Sequence, residues 1–277
     1  MPIPFRKMHG LGNDFVVIDA RVDALPMTAR RAAALADRTT GIGCDQVIVL
    51  EPADHAADHA DVRMRIFNPD GSEADACGNA SRAVGLLLAD ERCGVTRIET
   101  RGGTITAQAD GAMISVAMGR PRFDWQAIPL AYALDTLALP VAWEGLGEPV
   151  AVNVGNPHVV FFVPDAAAVD LARLGPLIET DPLFPARINV NVATVTGPDA
   201  IALRVWERGA GLTRACGTGA CATAIAAMRR RLTGRRVTVT LPGGPLTIVW
   251  DDDDSILMTG PATTSFVGTF DESDYPA

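Results

Sequence analysis

The sequence predicts an α+β chain of two similar domains, each a β-sheet wrapped around a helix, on three observations. Short runs of alternating apolar and polar residues, bounded by Gly and Pro, recur along nearly its whole length. Only a few stretches read as helices, two of them Ala-rich. Finally, Cys77 and Cys216 sit in look-alike segments, Ala76-Cys77-Gly78-Asn79-Ala80 and Ala215-Cys216-Gly217-Thr218-Gly219, 139 residues apart in a chain of 277. A repeat at half the chain length points to duplication of one domain, each copy bringing one cysteine segment to a shared cleft.

Taken in order, the alternating runs fall at Phe15 to Asp19, Val47 to Leu50, Asp61 to Phe67, Arg97 to Thr100, Thr104 to Ala109 and Ile114 to Met118 in the first half. In the second half they fall at Val150 to Val154, Val159 to Val163, Ala200 to Glu207, Val237 to Leu241 and Leu246 to Val249. Helices are expected at Thr28 to Arg38, with Thr28 able to cap, at Ala80 to Asp90, Ala167 to Ile178 and Gly219 to Arg231. Asn68-Pro69-Asp70-Gly71 reads as a turn before the first cysteine, and Arg208 to Thr213 as the loop before the second. Each half therefore reads strand, loop, cysteine, helix. The Pro-containing stretch around Arg120 to Asp124 is the expected crossover. That sets an N-terminal domain at 1–119 and opens a C-terminal domain at 120.

With 24 Lys plus Arg against 33 Asp plus Glu, the formal charge is −9. Such a surface repels polyanions, so no nucleic-acid or anionic-membrane partner is expected. The apolar stretches, such as Ala83 to Ala89, fall far short of a membrane span. The opening Met-Pro-Ile-Pro-Phe has no apolar run of signal-peptide length, so the expected location is cytoplasmic. Asp251 to Asp254 reads as a solvated turn.

The five cysteines, Cys44, Cys77, Cys93, Cys216 and Cys221, show no metal-ligand spacing and no paired framework. No metal is expected, and Cys44, Cys93 and Cys221 are assigned to packing. Cys77 and Cys216 are different. A cysteine at the opening of a helix meets unsatisfied backbone N–H groups and the positive end of the helix dipole, which favour thiolate. The same N–H groups bind a carboxylate. Two such helix starts facing one another would hold a substrate carboxylate, with a sulfur on each side of the adjacent carbon. One sulfur would remove the α-proton and the other would return a proton to the opposite face, as a two-base racemase or epimerase requires. The enolate-like charge would need preorganised N–H donors and exclusion of water.

The segments Lys7 to Phe15 (KMHGLGNDF), Gly41 to Gln46 (GIGCDQ), Phe67 to Glu73 (FNPDGSE), Ala76 to Asn79, Asn153 to His158 (NVGNPH), Glu207-Arg208 and Ala215 to Ala222 together resemble the diaminopimelate epimerase family. The motifs recur in family order from residue 5 to about residue 262, nearly the whole chain. The resemblance implies an epimerase without cofactor, and without pyridoxal phosphate, that interconverts LL- and meso-2,6-diaminopimelate in lysine and peptidoglycan precursor synthesis. It also implies two pseudo-symmetric domains, each a sheet around a central helix, with the N-terminal one completed by 263–277 so that the C-terminal one is 120–262, and a homodimer. In family terms Cys77 and Cys216 are the two bases. The backbone around Gly78, Asn79, Gly217 and Thr218 would hold the proximal carboxylate. Positions matching Asn13, Gln46, Asn68, Asn156, Asn189, Glu207 and Arg208 would recognise the distal amino-acid group, and His158 and Glu207 would adjust the cysteine pKa values. Asn189 is preferred to Asn191 by its spacing after Phe184-Pro185.

That residue set is chemically intelligible. Arg presents a planar fork to a carboxylate, Glu accepts from an ammonium, and Asn does either. The chain departs from the family at Cys44, where an apolar aromatic is commoner, at Ala80-Ser81-Arg82, which replaces a Gly-Ala-Arg often seen there, and at Phe266, near a tyrosine that supports dimer contacts in some members. Two alternatives stay open: the same chemistry on another amino acid such as histidine or hydroxyproline, and a redox-active pair of thiols.

Overall fold

The computed structural model describes residues 2–53, 59–91 and 94–275, so Cys93 lies outside the described residues. The chain forms two compact units, Met1–Val116 with Gly260–Ala277, and Ala117–Thr259.

The first unit runs β1 (Pro2–Gly10), β2 (Asn13–Asp19), α1 (Ala29–Ala36), β3 (Gln46–Glu51), β4 (Val62–Phe67), β5 (Glu73–Ala74), α2 (Gly78–Leu88), β6 (Val95–Thr100), β7 (Gly103–Asp110) and β8 (Met113–Ala117). β1 is antiparallel to β2, β2 parallel to β3, and β3 antiparallel to β4. β4 then pairs antiparallel with β5 and parallel with β6, and β7 and β8 follow antiparallel. α2 packs on β1, β6 and β7 through Ala80, Ala83, Val84 and Leu88, all fully buried. Gly85 lets the helix approach the sheet closely, because a Cβ there would lie 2.8 Å from that of Ala107.

The second unit repeats that order. After a small hairpin, β9 (Ala142–Trp143) with β10 (Leu146–Gly147), come β11 (Val150–Asn153), β12 (Pro157–Phe162), α3 (Leu171–Glu179), β13 (Asn189–Gly197), β14 (Ala200–Glu207), β15 (Gly211–Thr213), α4 (Gly217–Arg229), β16 (Arg236–Leu241), β17 (Gly244–Trp250) and β18 (Ile256–Pro261). β11–β12 is antiparallel, β12–β13 parallel, β13–β14 and β14–β15 antiparallel, β14–β16 parallel, and β16–β17–β18 antiparallel. Every pairing type matches its counterpart in the first unit. The register matches too: Phe15 lies opposite Gln46 in one unit, and His158 opposite Asn189 in the other.

α4 is apolar around its whole circumference, with Ala220, Cys221, Ala222, Ala224, Ile225, Ala226 and Ala227 all at 0% exposure. Such a helix must be enclosed. It packs against β11, β12, β13, β14, β16 and β17, a sheet wrapped around a helix. No helix among the described residues is long and apolar enough to cross a membrane.

Local signals locate most elements, and the differences have physical causes. α3 begins at Leu171 rather than Ala167, because the Asp170 side chain accepts from Arg173 N–H and caps the helix there. β13 carries the buried polar residues Asn189 and Asn191 where a strand pattern expects apolar ones. β1 opens with Pro2 and Pro4, poor strand formers by pattern. Its partner comes from the far end of the chain: β19 (Thr263–Asp271) runs antiparallel to it, with Pro2 opposite Asp271 and His9 opposite Thr263. β19 is exposed at most of its positions, so it has no alternating burial to betray it.

Candidate active site

Cys77 and Cys216 are the N-cap residues of α2 and α4. Both have extended backbone, with φ −149° and −129°. The Cys77 sulfur accepts from Ala80 N–H at 3.5 Å, and the Cys216 sulfur from Gly219 N–H at 3.3 Å. A sulfur thus occupies the place of the usual capping oxygen, with Gly as the first helical residue in both. Cys77 is half-buried, whereas Cys216 is 3% exposed.

Burial changes the electrostatics. The helix start was expected to favour thiolate, yet the Cys216 thiol is pushed well above its ordinary pKa. Desolvation is the largest cause, the nearby negative charge of Glu207 adds to it, and the hydrogen bonds from Thr218 and Gly219 N–H oppose it. The capping N–H groups are therefore present but outweighed. Cys44, buried and remote from any helix start, is pushed up to about 11 by the same desolvation, as suits a packing residue. Cys221 is buried inside α4.

Around Cys77 the first unit assembles a polar network. Asn79 Nδ2 donates to Asn13 Oδ1 at 3.0 Å, and Asn13 Nδ2 donates to Asp45 Oδ2 at 2.9 Å. The fully buried Arg82 donates through Nη2 to Asn79 Oδ1 at 2.8 Å, one helical turn along α2. Gln46 Nε2 donates to Asn68 Oδ1 at 3.1 Å, and Asn68 Nδ2 donates to Ser72 Oγ at 3.1 Å. The turn that presents Asn68 closes with Gly71 N–H on Asn68 O, at a φ of +82° and with Ala29 O where a Cβ would stand. Gln46 Oε1 is buried with no partner among the described residues, an acceptor left over for a ligand N–H.

The second unit assembles the counterpart around Cys216. Cys216 Sγ lies 3.5 Å from Thr218 Oγ1, which accepts from Asn156 Nδ2 at 3.3 Å. Asn156 Oδ1 meets His158 Nε2 at 2.8 Å. His158 is fully buried, and desolvation holds its pKa down at about 3, so the ring is neutral. Glu207 ends β14 and accepts a hydrogen bond from Thr213 Oγ1. Arg208 is exposed; its Nη1 donates to Ala186 O at 2.9 Å, which leaves further guanidinium N–H groups for an anion. Asn189 works on the backbone, donating to Pro157 O at 2.8 Å and accepting from Arg208 N–H at 2.9 Å, so it secures the segment that carries Arg208.

Each unit thus gathers its own share of the sequence-derived residues: Asn13, Gln46, Asn68, Gly78 and Asn79 with Cys77, and Asn156, His158, Asn189, Glu207, Arg208, Gly217 and Thr218 with Cys216. Sequence reasoning missed Asp45, Arg82, Thr213 and Asn191. Asn191 had a signal, since it stands two residues after Asn189 on one strand and shares its face. Arg82 and Thr213 lie only three and six residues from their partners Asn79 and Glu207, whereas Asp45 meets Asn13 through a long-range contact. Among the described residues, no group of His, Cys, Asp and Glu is arranged to hold a metal ion.

The sequence profile of the diaminopimelate epimerase family matches residues 5–123 and 150–265. The chain is 67% identical over 276 residues to a diaminopimelate epimerase of Erythrobacter litoralis, covering 99% of this chain and all of that one. It is 63% identical to that of Rhizorhabdus wittichii, covering 100% of this chain and 98% of the relative. Among solved structures, a hydroxyproline epimerase from Agrobacterium vitis superposes with a TM-score of 0.69 at 18% identity, covering 99% and 94% of the two chains. A PhzF-family protein from Enterococcus faecalis superposes at 0.70 and 14%, covering 98% and 100%. At those identities the structural likeness is one of fold.

Proposed function

The chain belongs to the diaminopimelate epimerase family, and from that premise we propose that Cys77 and Cys216 interconvert LL- and meso-2,6-diaminopimelate as a two-base pair. The observation that carries the mechanism is the repeated one: in two units of identical topology, a cysteine sulfur caps a helix and its neighbours are backbone N–H donors.

In each turnover a thiolate takes the α-proton, so a C–H bond breaks and an S–H bond forms. The thiol on the opposite face gives its proton to the same carbon, so an S–H bond breaks and a C–H bond forms. Nothing is oxidised or reduced, and the two sulfurs have exchanged protonation states. The negative charge that develops on the α-carboxylate is stabilised by N–H groups of Gly78, Asn79, Gly217 and Thr218 at the helix starts. With its pKa raised by burial and Glu207, Cys216 holds its proton at rest. Asn13, Gln46, Asn68, Asn156, Glu207 and Arg208 bind the distal ammonium and carboxylate, with Asn189 holding the Arg208 backbone in place. Analogues lacking those groups are rejected, because polar groups that the ligand covers would be left unpaired.

Incubating the protein with LL-diaminopimelate in heavy water tests the reading. Meso product with deuterium at one Cα is expected, and both Cys77→Ala and Cys216→Ala abolish it. Exchange on histidine or hydroxyproline with none on diaminopimelate would overturn the substrate; turnover of a disulfide or peroxide surviving in Cys77→Ala would overturn the chemistry.

The protein works in the cytoplasm as a homodimer. Supporting a dimer, Phe266 and Val267 on β19 are 51% and 66% exposed, an apolar pair on a surface strand. Light scattering of the wild type and of Phe266→Ser reads the oligomeric state, and a monomeric wild type rejects it.

A further inference from the structure

Asn191 is fully buried on β13, with its Oδ1 left without a partner among the described residues. Nδ2 donates to Val159 O at 2.9 Å and faces His158 Nδ1 at 3.1 Å; turned over, the amide would set its oxygen against a carbonyl oxygen. An amide nitrogen only donates. His158 Nδ1 therefore accepts, and the single proton of the neutral ring sits on Nε2. Nε2–H donates to Asn156 Oδ1, which aims Asn156 Nδ2 at Thr218 Oγ1. Thr218 accepts there, so its hydroxyl hydrogen is left for Cys216 Sγ.

We propose that Asn191 is a positioning residue for Cys216: it selects the His158 tautomer and so sets the direction of a hydrogen-bond chain that ends with the Thr218 hydroxyl pointed at the sulfur. A donor at that point favours the thiolate, which Cys216 must become in one direction of turnover. The inference rests on the two-base reading above.

The first unit supplies an internal comparison. In its matching register the His158 position is Phe15 and the Asn191 position is Ile48, both apolar and fully or almost fully buried. There the corresponding link runs the other way, because Asn79 donates to Asn13 rather than Asn13 to Asn79. Where the chain is missing, the polarity is reversed.

The test is the 15N spectrum of the imidazoles in histidine-labelled protein, with His158 assigned by His158→Gln, alongside steady-state epimerisation. The wild type is expected to show His158 as the neutral Nε2–H tautomer. Asn191→Leu, which removes the donor, is expected to mix the tautomers, and Asn191→Asp to protonate Nδ1. In both, kcat is expected to fall roughly tenfold, the effect of one hydrogen bond to a charged sulfur, with KM within about twofold. A wild-type ring protonated on Nδ1 overturns the proposal without any variant, even if both substitutions prevent folding. Variants that keep the Nε2–H tautomer, keep wild-type kcat, or change KM alone also overturn it. If the wild type fails to epimerise diaminopimelate, the functional reading falls, while the tautomer still judges the chain.

Discussion

The Glu207 carboxylate and the Cys216 thiol interact at the N-terminus of α4, and the negative charge of Glu207 raises the energy of the Cys216 thiolate. Replacing Glu207 by Gln removes the charge but keeps the shape. The Cys216 pKa then falls, though burial, the larger cause, still holds it above an ordinary thiol. Alkylation of Cys216 by iodoacetamide between pH 7 and 9, quantified by mass spectrometry, should be faster in Glu207→Gln than in the wild type. Equal rates would show that the sulfur does not sense the carboxylate.

Gly219 follows Thr218 on α4, where a Cβ would lie 2.8 Å from Asn191 Oδ1, 3.0 Å from Val205 Cγ2 and 3.2 Å from Cys216 Sγ. Asn191 is held by Val159 and His158, and Val205 and Cys216 are both buried, so the neighbours have little room to withdraw. Gly219→Ala should cost about 1–3 kcal/mol of stability, the range for overpacking a tight interior, and disturb the sulfur directly. Urea denaturation measures the first effect and kcat the second; a variant as stable and active as the wild type contradicts the crowding.

His158 gives the protein a pH dependence of known sign. Its pKa is about 3 when folded, against 6.5 for the free side chain, so the unfolded chain binds a proton that the folded one refuses. Stability from this residue is complete above pH 6.5 and is lost as pH falls toward 3, with a slope approaching about 1.4 kcal/mol per pH unit. His158→Gln should be destabilised at pH 7.5 but lose less between pH 6.5 and 5, a window above the range in which carboxylates titrate. Parallel stability curves for the two proteins across that window would refute the assignment.

Asp45 anchors Asn13 from outside the predicted site. One of its oxygens accepts from both Asn13 Nδ2 and Asp14 N–H, and the other accepts from Arg38 at 2.7 Å. Asp45→Ala frees the Asn13 amide to rotate, which should raise KM for diaminopimelate about tenfold, roughly one hydrogen bond to a charged group, while kcat changes little. Initial-rate kinetics decide it, and an unaltered KM would remove Asn13 from substrate recognition.

Local chemistry made much of this legible. The cysteine segments, the helices that follow them and the turn at Asn68 to Gly71 depend on hydrogen bonds spanning three or four residues, and those leave a mark in sequence. The strand-by-strand repeat was visible only as one strand, loop, cysteine and helix in each half; its full extent is a matter of register between distant strands. Arg82 and Asn191 were not assigned to the site because each is a polar residue in a buried position, where a pattern of apolar periodicity expects none, although its spacing from Asn189 put Asn191 on the same strand face.

By itself, then, the sequence determined that each half places a cysteine at the start of a helix, because capping is decided within one turn of chain. Only the tertiary structure decided what that placement does to the sulfur. At Cys216, desolvation by the surrounding sheet and the charge of Glu207 outweigh the helix N–H groups, and both come from residues brought near by folding rather than by sequence. Tertiary structure alone also decided which strand the chain's last segment joins: Pro2 meets Asp271 because strand pairing requires proximity in space, not along the chain.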